Sequence, residues 1–218
     1  MLIKFILKQE ISLKKIFLIL ISPILLFIFE VNNSFSYIRF FESILPTFYI
    51  FILFSSLINS KEIGIDDLEK STPYSNYKIY LYKTFIIFIL FILNMAYNYL
   101  ILRIIFNYKF DIGQIFIGEN NYSEINTFYI FISGIINFIF YSSIMSFLQA
   151  LFKEKWISII LTFIFSLMNL VNINLININS IYYYGNNWLY LKFIYVLLII
   201  VLQFIIMNLK KYITLLNS

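Results

Sequence analysis

The sequence predicts an all-α membrane protein, and three observations carry that reading. Hydrophobic residues make up 61% of the chain and stand in long runs, not as scattered core positions. Charged residues make up only 12% and gather at the ends of those runs. The mean hydropathy of +0.87 belongs to a chain that lives in lipid.

Length decides how many helices cross. A helix rises ~1.5 Å per residue and the hydrocarbon core is ~30 Å thick, so a span needs roughly 20 apolar residues. About six windows qualify, at approximately 16–31, 38–58, 79–102, 127–150, 156–176 and 190–208. They predict about six transmembrane helices in a single transmembrane domain over 1–218.

Ahead of the first run, Lys4, Lys8, Lys14 and Lys15 share one sector of a helical wheel, with Leu2, Phe5, Ile6, Leu13 and Ile16 opposite. That pattern predicts an N-terminal amphipathic helix over 1–15 lying along the inner membrane surface, the alternative being a frayed basic start to the first span. After the run comes Glu30-Val31-Asn32-Asn33-Ser34-Phe35, which lacks the small-residue spacing of a signal-peptidase site. The first span is expected to be retained.

Pro23 and Pro46 fall within the first two spans. Neighbouring helices can satisfy the carbonyls that proline frees, so both are expected to kink their helices without ending them. The segment between the third and fourth spans, about 103–126, carries Asp111, Gly113, Gly118, Glu119, Asn120, Asn121 and Glu124. It is long enough for a short surface helix or a partly ordered loop and too short for a domain. Tyr182, Tyr183, Tyr184, Trp188 and Tyr190 are placed as anchors at the outer interface, and Trp156 at the inner one.

Lysine placement orients the chain. With a cytoplasmic N-terminus, Lys4, Lys8, Lys14, Lys15, Lys61, Lys70, Lys78, Lys83, Lys153, Lys155, Lys210 and Lys211 fall on the inner side, against Arg39, Arg103, Lys109 and Lys192 outside. The positive-inside rule then places both termini in the cytoplasm of a multi-pass cell-membrane protein. The net charge of +5 is thus a topology signal, and no nucleic-acid partner is expected.

Composition also removes chemistry. The chain has no Cys and no His, which excludes disulfides, thiol nucleophiles, imidazole bases and the commonest zinc ligands. Carboxylates remain, but Glu30, Glu42 and Glu119 show no paired catalytic spacing. No catalytic residue, no metal site and no cofactor in this chain is expected.

Polar residues inside the apolar runs are the candidates for a path or a seam. Arg39 and Glu42 stand at i,i+3 in the second span, either as an internal pair or as part of an exit path or dimer seam. Asn94 and Asn98 share a face of the third span at i,i+4, as interhelical hydrogen-bonding residues do. Asn172, Asn174, Asn177 and Asn179 cluster where the fifth span should emerge, as an outer gate, a re-entrant turn, or a plain consequence of an Asn- and Ile-rich composition.

The most charged cytoplasmic stretch lies between the second and third spans, from Ser60 to Lys83. On a helix over about 61–71, Ile65 and Leu68 share a face while Asp66 and Glu69 turn elsewhere, and Pro73 stops it. A short amphipathic helix outside lipid, just before a span, suits docking to a cytoplasmic partner. Glu62, Gly64, Leu68, Glu69, Pro73, Ser75, Ile79 and Lys83 occupy the places of a recurring pattern, with Gly64 nine positions before Pro73 and Lys83 ten after it. In this the chain resembles the membrane subunits of ABC-2 type ABC transporters. The family usually has Thr where Ile65 stands and an apolar residue where Asp67 stands.

The resemblance covers about 24 residues closely and the six-span plan loosely. It implies a cytoplasmic coupling segment over 61–77, in which Glu62, Gly64, Ile65, Leu68, Glu69 and Pro73 contact an ATPase. It further implies two ATP-binding cassette subunits, a second copy of the chain or a similar permease subunit, surrounding lipid, and export as the direction of transport. A chain this small suits a drug, a lipid-like molecule or an antimicrobial peptide as substrate. No glycine begins a G-x-x-x-x-G-K-[ST] loop, so ATP and Mg would sit on the partner. The competing class is an energy-independent membrane protein with an immunity or sensory role.

Overall fold

The computed structural model describes residues 13–25, 38–52, 76–105, 112–118, 121–152, 155–170 and 188–216. Among them the chain is predominantly helical. Helix α1 is Leu13–Ile21, α2 is Phe40–Ile52, α3 is Asn76–Ile105, α4 is Thr127–Leu151, α5 is Lys155–Leu170 and α6 is Trp188–Leu216, with strands β1 (Ile112–Gly118) and β2 (Asn121–Asn126) between α3 and α4. Each helix falls on one of the six apolar windows.

Among the described residues, two helices are long and apolar enough to cross a membrane. The apolar part of α3 runs over Tyr82–Ile104, 23 residues, and α4 has 25. The whole of α3 has 30 residues, so it is ~45 Å long and exceeds the hydrocarbon thickness.

The expectation of a surface helix or loop over 103–126 is corrected. Here β1 and β2 form an antiparallel hairpin, with Gln114 opposite Glu124, Ile115 opposite Ser123 and Phe116 opposite Tyr122, and an irregularity between Phe116 and Gly118. The β-branched and aromatic residues of Ile115-Phe116-Ile117 and the Gly118-Glu119-Asn120-Asn121 sequence favour paired strands about a turn over a helix. Asn126 ends the hairpin and caps α4: its side chain accepts from the Phe128 N–H at 2.9 Å.

Pro46 stays within its helix as expected, whereas the expectation for Pro23 is corrected: α1 ends before it. Helix α1 stops at Ile21, turns through Ser22 and Pro23, and helix resumes at Ile24, with tight three-residue hydrogen bonds from Ser22 N to Ile19 O and from Leu25 N to Ser22 O. Pro46 stays inside α2, preceded by a widened π-helical turn over Phe40–Ile44 that the Leu45 N–H closes onto Phe40 O.

The chain divides into two compact units, residues 1–31 with 48–109, and residues 32–47 with 110–218; the boundary falls between Thr47 and Phe48 in α2. In the first unit, α3 buries Lys83, Ile87, Phe91, Asn94, Asn98 and Leu102. In the second, α4 is the hub: it packs against α5, α6 and the π-helical turn of α2. Aromatic rings fill this core, with Phe140 stacked on Tyr195 at 4.5 Å and Phe41 against Phe131 at 5.0 Å.

The distribution of polarity is inside out. Ser158, Thr162 and Ser166 form a buried line along α5, while Trp156, Ile160 and Ile164 are exposed. Lys192 is buried on α6, whereas Phe193 and Phe204 are 60% and 66% exposed. Such a surface suits an apolar solvent, where close contact through small residues and internal hydrogen bonds holds helices together.

Candidate functional site

Polar side chains gather at two buried places, one in each unit. The cluster in the second unit is built on the π-helical turn of α2. Glu42 is fully buried there, and its Oε1 lies 2.9 Å from Lys192 Nζ of α6. Ser133 Oγ of α4 donates to the same oxygen at 2.7 Å. Lys192 Nζ also donates to Asn137 Oδ1 at 2.7 Å and stands 5.4 Å from the centre of the Tyr195 ring.

Asn137 serves the cluster twice. Pro46 has no N–H, so the α-helical partner of the Glu42 carbonyl is missing from α2 itself. Asn137 Nδ2 donates to that carbonyl at 2.8 Å. A proline-freed acceptor is thereby satisfied from a neighbouring helix, as burial away from water demands. The carboxylate and ammonium neutralise each other where a lone charge would be costly. Chemically the cluster can hold three helices together and present one paired charge.

The cluster in the first unit joins the Ser22–Pro23 turn after α1 with α2 and α3. Ser22 Oγ donates to Asn94 Oδ1 at 2.8 Å, and Asn94 Nδ2 donates to Tyr49 Oη at 2.6 Å. Asn98 Nδ2 reaches Ser22 Oγ at 3.0 Å, the Asn94 carbonyl at 3.0 Å, and Asn94 Oδ1. Tyr49 Oη in turn donates to Leu90 O at 3.3 Å.

Compared with known proteins, the chain matches no family model, no curated protein and no solved structure.

Of the residues expected to line a path or seam, Glu42 and Arg39 lie in the second unit and Asn94 and Asn98 in the first. Asn94 and Asn98 share a face as expected and bond across helices. Arg39 is half-buried at the start of the π-helical turn, and Glu42 forms an ion pair with Lys192 on another helix. Sequence reasoning assigned Lys192 to the charges flanking the spans and left Ser22, Tyr49, Ser133 and Asn137 aside. A lone Lys just inside the apolar run of α6, set against a lone Glu inside that of α2, was the signal for the pair. Lys83, counted as an inner flanking charge, is buried within α3. The coupling residues Glu62, Gly64, Ile65, Leu68, Glu69 and Pro73, most of the amphipathic segment 1–15, and the Asn172–Asn179 cluster lie outside the described residues. Among the described residues, no group of three His, Cys, Asp or Glu could hold a metal ion.

Proposed function

We propose that this chain is the transmembrane permease subunit of an ABC-2 type ATP-driven exporter, forming the substrate path and coupling to separate ATPase subunits. It is multi-pass in the cell membrane, with about six spans and both termini cytoplasmic, and it pairs with a second copy or a similar subunit. The observation that carries this reading is the spacing of Gly64, Pro73 and Lys83 in a charged segment that leads directly into a membrane-length helix.

The physical logic is mechanical. Helix α3 begins at Asn76, three residues after Pro73, and runs unbroken for 30 residues. A displacement applied to the docking segment by a closing ATPase would therefore pass into a single rigid rod. Two internally bonded polar clusters support the reading too, since helices tied through named side chains move as bodies and do not deform singly. Drugs, lipid-like molecules and antimicrobial peptides are the substrate classes to test first.

The deciding experiment is affinity purification of the tagged chain from its native cells in mild detergent. Recovery of a polypeptide carrying a phosphate-binding loop, in about one copy per permease chain, is the expected result. Recovery of the intact chain with no ATPase, after gentle cross-linking as well, overturns the proposal in favour of an energy-independent membrane protein.

A further inference from the structure

Helix α2 is held toward its two ends by different neighbours. Near its start, the Glu42 carboxylate is bonded to Ser133 of α4 and Lys192 of α6, and the Glu42 carbonyl to Asn137 of α4. Near its end, Tyr49 is bonded to Asn94 and to Leu90 O of α3. Seven positions separate Glu42 from Tyr49, about two α-helical turns, so a regular α-helix would set both on one face. The π-helical turn over Phe40–Ile44 lets them serve different neighbours.

That turn has little of its own to hold it. π-helical bonding is rare and is mostly confined to a single turn inserted in an α-helix. Pro46 supplies no N–H to either pattern, and the Glu42 carbonyl relies on Asn137. Thr47 carries a buried hydroxyl with no hydrogen-bond partner, where a helical Thr ordinarily bonds back to the carbonyl three or four residues earlier. The widened turn is thus upheld from outside, by the bonds that Glu42 makes to α4 and α6.

We propose that α2 is a two-state switch helix latched by the Glu42–Lys192 pair. In the latched state the turn over Phe40–Ile44 holds one extra residue, and Glu42 meets Lys192. When the pair parts, the turn closes to α and the Leu45 N–H passes from Phe40 O to Phe41 O. The two ends of α2 then rotate against each other by about 100°, the angle of one helical residue. The switch does not depend on the transport reading.

The experiment measures a distance within α2. Arg39, half-buried, and Phe51, exposed, are twelve positions apart. A regular α-helix sets such positions about 120° apart around its axis, and one extra residue in a turn sets them about 20° apart. In this cysteine-free chain, Arg39→Cys with Phe51→Cys takes one pair of spin labels, and dipolar electron resonance on the detergent-purified protein reads their separation. The short separation should dominate in that background, and adding Lys192→Met should make a separation several Å longer the main one. Adding Pro46→Ala as well, which restores the N–H that a regular helix needs, should leave the long separation alone as a narrow distribution. A long component that does not rise in Lys192→Met, or a broad, featureless distribution in both variants, overturns the proposal. Should Lys192→Met fail to fold, Ser133→Ala, which takes one hydrogen bond from Glu42, must raise the long component; an unchanged distribution there overturns it as well.

Discussion

Asn137 Nδ2 donates to the backbone carbonyl of Glu42 at 2.8 Å, at the position that the missing N–H of Pro46 would have served. A side chain on one helix thus repairs the hydrogen-bond ladder of another. Asn137→Leu removes this hydrogen bond to a buried carbonyl, which costs about 1–3 kcal/mol. Pro46→Ala restores the N–H, so the same Asn137→Leu change should cost measurably less in the Pro46→Ala background. Chemical unfolding of the four proteins in detergent measures the coupling, and strict additivity would refute it.

The Glu42–Lys192 pair predicts a charge-linked pattern. Glu42→Gln or Lys192→Met breaks a buried ion pair and should destabilise by about 3–5 kcal/mol. The double variant Glu42→Gln with Lys192→Met removes both charges and should recover a large part of that loss. Unfolding midpoints of the singles and the double test this; a double as unstable as the sum of the singles would show that the two side chains are not coupled.

Tyr49 offers a smaller and cleaner probe. Tyr49→Phe removes the hydroxyl that accepts from Asn94 Nδ2 and keeps the ring that packs at 5.3 Å from Phe91. Interhelical hydrogen bonds in membrane proteins are worth about 0.6 kcal/mol on average and up to about 1.7. The expected loss lies in that interval, read from unfolding in detergent, and a neutral result would place the hydroxyl outside the energetics of the cluster.

Topology is checked with the chain's own lack of cysteine. Single cysteines at Ser71 and at Asn121 should react with an impermeant thiol reagent from opposite faces of the membrane. Labelling of both from one face would remove the proposed orientation.

The docking segment yields the last test. Leu68→Asp places a charge on the face expected to enter an ATPase groove, where truncating an anchoring side chain costs on the order of 2 kcal/mol or more. Charge reversal at Glu62 and Glu69 should act in the same direction. ATPase recovery with the purified chain should fall while the thermal stability of the chain is unchanged. Undiminished recovery and transport in Leu68→Asp would contradict the docking role.

Helix placement was legible in part because long apolar runs favour helix, which satisfies its own backbone. The two membrane-length helices, α3 and α4, fall on the apolar windows 79–102 and 127–150, and the shorter apolar helices overlap the other four. The alliance of Asn94 with Asn98 was legible too, since i,i+4 spacing puts two residues on one face by helical geometry. The hairpin over 112–126 was not inferred: its strands are short, and their alternation competes with a high content of residues common at turns.

By itself, the sequence determined that the protein is a set of apolar helices with sparse, costly polar residues inside them. It also determined the chemistry that is absent, since neither thiol nor imidazole exists in the chain. Only the tertiary structure decided which polar groups meet: Glu42 with Lys192, 150 positions away in the chain, and Ser22 with Asn94 and Asn98. The physical reason is that burial away from water makes every such group need a partner, while the identity of the partner depends on helix rotation and packing. Hydropathy, which sums over side chains without regard to direction, does not encode either.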